Sequence, residues 1–187
     1  MGVLSDAHYN TKWPDNILLF DVRKGLPYQD SFLRYVYSSH FFEHLYADEA
    51  RAFLLECFRV SKPGGILRLA VPDLEICCRC YWESVSREDL AADNHAPAAD
   101  ILVAESMMAP DAAPQGFVNG ILRPLLGRAT LHCWNYDAHS LTSRLVQADF
   151  VKVGRKGFRE SDIPDIECLD LQVHSHRSVY VEGTKPA

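Results

Sequence analysis

The sequence predicts an α/β fold built on a mostly parallel sheet. Residues 32–37 are aromatic and β-branched, an amphipathic helical pattern begins at Asp48, and a further apolar run covers residues 66–71. A strand, a helix and a second strand at this spacing form a βαβ unit, in which the two strands run parallel. A chain of 187 residues is long enough for one domain with its own core, so residues 1–187 are expected to form a single domain.

The elements of the first half follow from apolar patterns and the residues that interrupt them. NILLFD at residues 16–21 and FLRYVY at 32–37 predict two buried strands. Asp48 is a suitable N-cap for a helix, which the proline and glycines at 62–65 would end. The apolar residues at 66–71 predict the next strand. The helical spacing is carried by Ala50, Phe53, Leu54, Cys57 and Phe58.

The second half contains an interruption and then returns to regular elements. Residues 76–131 are predicted to form a helical or loop lid insertion that contacts the substrate. Two stretches rich in Ala, Pro and Asp lie within it, at 91–100 and 109–116. Asp137 is the predicted N-cap of a helix whose apolar side comprises Leu141, Leu145 and Val146. The last two predicted strands cover residues 150–158 and 177–183.

Composition and charge disfavour several classes of partner. The chain has 19 basic and 25 acidic residues, a net charge of −6, whereas nucleic-acid binding draws on an excess of basic residues. No apolar run approaches the ~18 residues that cross a bilayer, and the first residues lack the basic and apolar regions of a secretion signal. We therefore expect a cytoplasmic protein with no nucleic-acid or membrane partner, whose six cysteines are reduced.

Five segments, in this order and at these distances, carry a family resemblance. They are DVRKGLPYQDS, YVYSSHFFEHL, FLLECFRVSKPGGILRLAVPDLE, HCWNYDAHSLTSRLVQADF and GFRESDIP. Together they resemble the class I S-adenosylmethionine-dependent methyltransferases of the methyltransferase type 11 group. The resemblance implies a Rossmann-like, doubly wound sheet whose last strand is antiparallel, with the cofactor across the carboxyl edge of the strands. Open α/β sheets bind their ligands at this edge.

The resemblance also implies which residues meet the cofactor. Asp6 is placed to accept hydrogen bonds from the ribose hydroxyls, and Asp21 to accept from the adenine amino group. The backbone N–H of Val22 would reach a ring nitrogen of the adenine. Ser38 and Ser39, at the end of a predicted strand, would lie near the methionine part of the cofactor.

Three further residues are candidates for contact with the methyl acceptor, which the resemblance implies is a small or sugar-like molecule. His40 lies at the tip of the strand, where a neutral imidazole could accept a proton from a hydroxyl group. His132 and Tyr136 lie in a segment that borders the acceptor pocket in the family. The alternative for both is ordinary packing against the sheet.

The start of the sequence departs from the family pattern. The family has a Gly-rich loop after its first strand, whereas the paired glycines here, Gly64 and Gly65, precede a strand. Aligning DVRKGLP with the family leads us to expect that the first strand, this loop and the first helix are absent. Binding of S-adenosylmethionine is then expected to be weak or absent. A homodimer that covers the missing strand is also predicted, because unpaired strand edges favour strand addition.

Two functions remain open from the sequence. One is a methyltransferase that is truncated in this chain, and the other is a catalytically inactive, oligomerising module of the same fold. A zinc peptidase is disfavoured although residues 40–44 read H-x-x-E-H, because the predicted turn is short and a third ligand from a downstream helix is needed. Cys77 and Cys80 have C-x-x-C spacing without a second pair. We therefore expect no metal site.

Overall fold

The computed structural model describes residues 18, 20–86, 98–106 and 132–187. Within them, four strands form one sheet in the order β1-β2-β4-β3. The strands are β1 (Leu33–Ser39), β2 (Ser61–Pro72), β3 (Val151–Lys156) and β4 (Ser178–Thr184). The helices are α1 (Ala47–Val60), α2 (Leu74–Val85), α3 (Ala98–Ser106) and α4 (Ala138–Gln147). No described helix is both long enough and apolar enough to cross a bilayer.

The directions of the strands match the predicted fold class. β1 pairs with β2 in parallel, with Ser39 opposite Ala70 near their carboxyl ends. β4 is antiparallel to both of its neighbours, β2 and β3. Three strands therefore point the same way and only β4, the last in the sequence, points the other way. The predicted mostly parallel α/β sheet with an antiparallel last strand is confirmed.

Helix α1 connects β1 to β2 and completes the predicted βαβ unit. The Glu49 carboxylate accepts a 3.0 Å hydrogen bond from the backbone N–H of Tyr46, which stabilises the first turn. The helix begins at Ala47, so the prediction of Asp48 as N-cap was wrong. Asp48 lies instead within the first turn, where its negative charge is favourable beside the N-terminal end of the helix.

Residues 62–65 form an irregularity inside β2 rather than a turn before it. Between Leu33 and Tyr35 of β1, the paired residues of β2 step from Ser61 to Ile66. The extra residues of β2 are accommodated as a bulge, which proline and glycine tolerate within a strand. The helix still ends at Val60, as the sequence predicts.

One face of the sheet carries the apolar core beneath α1 and α4. Strand alternation places Leu67, Leu69 and Val71 of β2 on this face. The helical side chains packed in the same core include Phe53, Leu54, Cys57, Leu141 and Leu145. Val146 was predicted on the apolar side of α4 but is 55% exposed, because consecutive helical residues are turned by about 100°.

The opposite face holds a buried ionic network around Arg68. The Arg68 guanidinium donates to the carboxylates of Asp170 and Glu182 at 2.6 and 2.9 Å. It also donates to the backbone carbonyls of Gly157 and Glu160 at 3.1 and 3.0 Å. Asp170 and both carbonyls belong to the connection between β3 and β4, so this connection covers the second face of the sheet.

The first predicted strand is not observed in the residues that can be described. Leu18 and Phe20 lie outside any strand and are 67% and 45% exposed. Strand β1 is also less buried than predicted, since Arg34 and Tyr35 are exposed. Within the described residues no strand pairs with the outer edge of β1.

Helices occupy part of the predicted insertion at residues 76–131. Helix α2 leads into it from Asp73, and α2 packs against α3. Residues 98–106 form α3, where two alanines favour a helix, in line with the helical or loop lid predicted for this insertion. The stretch at 109–116 lies outside the described residues.

Candidate functional site

Polar residues gather where the parallel strands β1 and β2 end. β1 finishes with Ser38 and Ser39, and His40 follows with a left-handed backbone φ of 48° that redirects the chain. β2 ends at Pro72, and the Asp73 carboxylate then caps α2 by accepting a 3.0 Å hydrogen bond from the Glu75 backbone N–H. This is the edge at which the sequence predicts a ligand.

The imidazole of His40 is held by residues from the other end of the chain. It stacks on the His174 ring with the centroids 3.6 Å apart, and its Nε2 atom lies 2.9 Å from Oγ of Ser178. Its Nδ1 atom faces Oε1 of Glu43 at 3.6 Å. Burial lowers the pKa of His40 to about 4, so the ring is neutral near pH 7.

Glu43 lies at the centre of a cluster of histidines. Its Oε1 atom is 3.6 Å from Nδ1 of His40, 4.0 Å from Nε2 of His44 and 4.0 Å from Nε2 of His132. The Glu43 side chain is only 1% exposed, and neither of its carboxylate oxygens has a hydrogen-bond partner within the described residues. Burial raises the pKa of Glu43 to about 7.

His132 comes to this cluster from the segment that precedes α4. Its Nδ1 atom lies 2.8 Å from the backbone carbonyl of Ser106. The backbone carbonyl of Glu43 accepts hydrogen bonds from the N–H groups of Cys133 and Trp134 at 2.8 and 3.1 Å. The structure therefore brings the turn after β1 and the segment before α4 together.

Tyr136 is a core residue at the back of the same edge. Its side chain is fully buried and packs on Phe42 with ring centroids 5.0 Å apart. The Tyr136 hydroxyl has no hydrogen-bond partner within the described residues, and burial raises its pKa to about 12. Tyr136 therefore packs against Phe42 in the core. Packing of this kind is the alternative to acceptor contact that the sequence analysis left open.

Asp21 is engaged with a neighbouring cation. Its carboxylate accepts hydrogen bonds from Nε and Nη2 of Arg23 at 2.8 and 3.0 Å, and these hold the pKa of Asp21 below its ordinary value. Nη1 of Arg23 lies 3.8 Å from Oε1 of Glu49, which places Asp21 beside the first turn of α1. Val22 packs against the core, and Asp6 lies outside the described residues.

Ser38 and Ser39 differ in their surroundings. Ser38 is buried, and its Oγ has no hydrogen-bond partner in the part of the chain that is described, whereas Ser39 is half-buried. Sequence reasoning missed Glu43, His174 and Ser178 as members of this edge. Glu43 was visible within the H-x-x-E-H spacing, but His174 and Ser178 arrive only through the antiparallel return of β4.

Comparison with known families bears on the first part of the chain. Residues 3–69 match the family described as Methyltransferase domain. The match covers β1, α1 and most of β2, which form the βαβ unit that ends at the polar edge. The predicted resemblance to a methyltransferase family is therefore confirmed for residues 3–69. No match was found among curated proteins.

Several solved structures are similar at low sequence identity. A SAM-dependent methyltransferase from Archaeoglobus fulgidus is 13% identical with a TM-score of 0.43, covering 84% of this chain and 62% of its own. A putative methyltransferase of Haloferax volcanii, in complex with the activator Trm112, is 14% identical with a TM-score of 0.44. The alignment covers 88% of this chain and 59% of that chain. A SAM-dependent methyltransferase from Aquifex aeolicus is 14% identical with a TM-score of 0.45. The alignment covers 90% of this chain and 54% of that chain. This chain thus spans less than two thirds of their lengths.

Proposed function

We propose that the chain acts as part of an S-adenosylmethionine-dependent methyltransferase for a small-molecule or sugar-like acceptor. The observation that carries the proposal is the meeting of two matched segments at one end of α1. Arg23 connects Asp21 to Glu49, which lies in the first turn of this helix. The short segment Phe42–His44, which contains Glu43, directly precedes the same end of the helix. Both segments lie within the methyltransferase family match.

The residues at this edge suit the parts of the cofactor in turn. When bound, S-adenosylmethionine supplies the methyl group on an activated sulfonium, so the protein mainly has to align the acceptor with it. Asp21 would accept from the adenine amino group and Val22 would donate its backbone N–H to the ring. Ser38 and Ser39 would lie beside the methionine part, and Asp6 would accept from the ribose hydroxyls.

His40 is the proposed proton acceptor for a hydroxyl substrate. The His40 ring stacks on His174 and is hydrogen-bonded to Ser178, and these contacts fix its orientation at the end of β1. His132 and Tyr136 would form the acceptor side of the site, because they lie on the segment bonded to the turn after β1. Residues 76–131 would serve as the lid.

Weak cofactor affinity remains part of the proposal. Both oxygens of Asp21 are already paired with Arg23, and an incoming adenine would have to displace that interaction. We also propose a cytoplasmic location, which is supported by the lack of a disulfide among the six cysteines, all of them in described residues. A homodimer formed through the outer edge of β1 belongs to the same proposal.

Ligand-observed NMR with S-adenosylhomocysteine tests the cofactor site. Saturation transfer to the adenine protons should be detectable for the native chain at millimolar ligand and should fall strongly in Asp21→Asn. Asp30→Asn is the matched control, because Asp30 is exposed and pairs with Arg59 instead. Equal signals from the native chain and Asp21→Asn would contradict the role of Asp21, and no signal from the native chain would contradict the cofactor site.

A further inference from the structure

Three potential metal ligands converge at the edge from separate parts of the chain. Glu43 and His44 lie in the short turn Phe42–His44, and His132 comes from the segment before α4. One ligand atom from each of the three lies within 4.8 Å of the other two. Glu43 and His132 are both buried, so the cluster is not a set of solvated surface groups.

The hydrogen bonds of His132 fix which ring nitrogen carries its proton. Nδ1 lies 2.8 Å from the carbonyl oxygen of Ser106 and 3.3 Å from Oδ1 of Asn135. Both oxygens are acceptors, so Nδ1 must be the donor. A neutral ring therefore presents the lone pair of Nε2 towards Glu43. Histidines that bind metals are commonly oriented in this way, by donating the other N–H to a backbone carbonyl.

The carboxylate opposite this lone pair is buried. Oε1 of Glu43 lies 4.0 Å from Nε2 of His132, and no hydrogen-bond donor from the described residues reaches either carboxylate oxygen. Leaving a buried carboxylate unpaired is costly. A cation between these atoms would remove the cost. Ligand atoms of a tetrahedral zinc site are about 3.3 Å apart at ordinary bond lengths, so the atoms need to approach by at most about 1.5 Å.

We propose that Glu43, His44 and His132 bind one divalent transition-metal ion, with Zn²⁺ as the ion that fits best. Two imidazoles and one carboxylate form a ligand set that suits Zn²⁺, and a fourth position stays open for water. Ca²⁺ and Mg²⁺ prefer sites made of oxygen ligands only. This proposal differs from the sequence-based expectation of no metal because His132 supplies the third ligand from a loop, not from a downstream helix.

The ion would join two segments that are distant in the sequence. The turn after β1 and the segment before α4 are already linked by the backbone bonds from Cys133 and Trp134 to Glu43. Metal coordination would add side-chain bonds at the same junction and should raise the melting temperature of the chain. This inference does not depend on methyl transfer, because it concerns only binding of the ion.

Titration of the metal-free full chain with Zn²⁺ in a calorimeter tests the site. We expect one ion per chain and a loss of affinity of at least about tenfold in each of Glu43→Gln, His44→Gln and His132→Gln. His139→Gln and Glu167→Gln are the matched controls, because both residues are exposed, and they should bind Zn²⁺ like the native chain. Circular dichroism of each variant separates loss of binding from loss of folding.

A second measurement on the native chain keeps the test independent of the variants. In long-range ¹H–¹⁵N spectra of the imidazoles, Zn²⁺ should shift the Nε2 signal of His132 while its Nδ1 stays protonated. The proposal is overturned if Zn²⁺ does not bind. It is equally overturned if binding survives in all three ligand variants but is lost in Cys77→Ser with Cys80→Ser, since the ion would then occupy the thiols of α2.

Discussion

Arg68 and Asp170 are joined by a salt bridge of 2.6 Å between Nη2 and Oδ2, and both side chains are completely buried. Removing one partner of such a pair leaves an uncompensated charge in the interior, which typically costs about 3–5 kcal/mol. We expect Arg68→Gln, which leaves the buried carboxylates of Asp170 and Glu182 without their cation, to lower the free energy of unfolding by about this amount in urea titrations. Arg79→Gln breaks the exposed pair with Glu75 and should change it by less than about 1 kcal/mol. Equal losses in the two variants would contradict this account of the Arg68 network.

Gly183 is predicted to be the glycine of β4 that cannot accept a side chain. A Cβ atom there would lie 3.0 Å from Cδ2 of Leu145 and 3.0 Å from Cβ of Phe150. Gly183→Ala should therefore overpack the contact with α4 and cost about 1–3 kcal/mol in thermal unfolding. At Gly154 on β3 nothing lies within 4 Å of an added Cβ, so Gly154→Ala is the control and should not destabilise. A stable Gly183→Ala variant would show that α4 packs less closely on the sheet.

The cap of α4 should be detectable through its pH dependence. The Asp137 carboxylate accepts a 2.7 Å hydrogen bond from the Ser140 backbone N–H, which holds the pKa of Asp137 below its ordinary value. A carboxyl with a lowered folded-state pKa stabilises the fold above its unfolded pKa, and this contribution is lost as the pH falls through the folded pKa. We expect Asp137→Ala to cost about 1 kcal/mol at pH 7 and less below pH ~4, as measured by urea unfolding.

Asp162→Ala provides the control for this cap. The Asp162 side chain is 76% exposed and only approaches Lys156 at 3.5 Å. It should therefore change stability by less than about 0.5 kcal/mol. A pH-independent cost in Asp137→Ala would contradict the role assigned to its charge.

The outer edge of β1 should make the chain associate. Within the described residues β1 is the end strand of the sheet, and Phe32 and Tyr35 beside that edge are exposed. Open strand edges favour pairing with another chain. Sedimentation velocity over a range of concentrations should show a monomer–dimer equilibrium, and Tyr35→Lys should weaken it. A monomer at all concentrations would contradict the proposed homodimer.

Local patterns predicted the βαβ unit, the α4 cap at Asp137 and the last two strands, because each depends on residues near one another in the sequence. The elements that failed depend on distant contacts. Whether the apolar residues Leu18 and Phe20 are buried is decided by what covers them, and periodicity does not report this. The start of α1 was misplaced because the hydrogen bond from the Tyr46 backbone N–H to the Glu49 carboxylate outweighed the capping preference of Asp48.

In the candidate site too, features that depend on nearby residues were predicted and features that depend on distant contacts were not. The resemblance placed Ser38, Ser39 and His40 at the end of β1, where the structure has them. It could not indicate that His174 stacks on His40, because that contact depends on the return of the chain through β4. It also could not indicate that Arg23 occupies the Asp21 carboxylate, since an arginine two residues away is compatible with many conformations.

In the proposed function, an adenosyl cofactor binds across the carboxyl edge of β1 and β2. Titration of the ¹⁵N-labelled chain with S-adenosylhomocysteine, followed by amide chemical shifts, tests this claim most directly. We expect weak binding, with the largest shifts at Val22, Ser39 and His40 and little change in β3. Shifts confined to β3 and the connection that follows it, or no shifts at millimolar ligand, would contradict the claim.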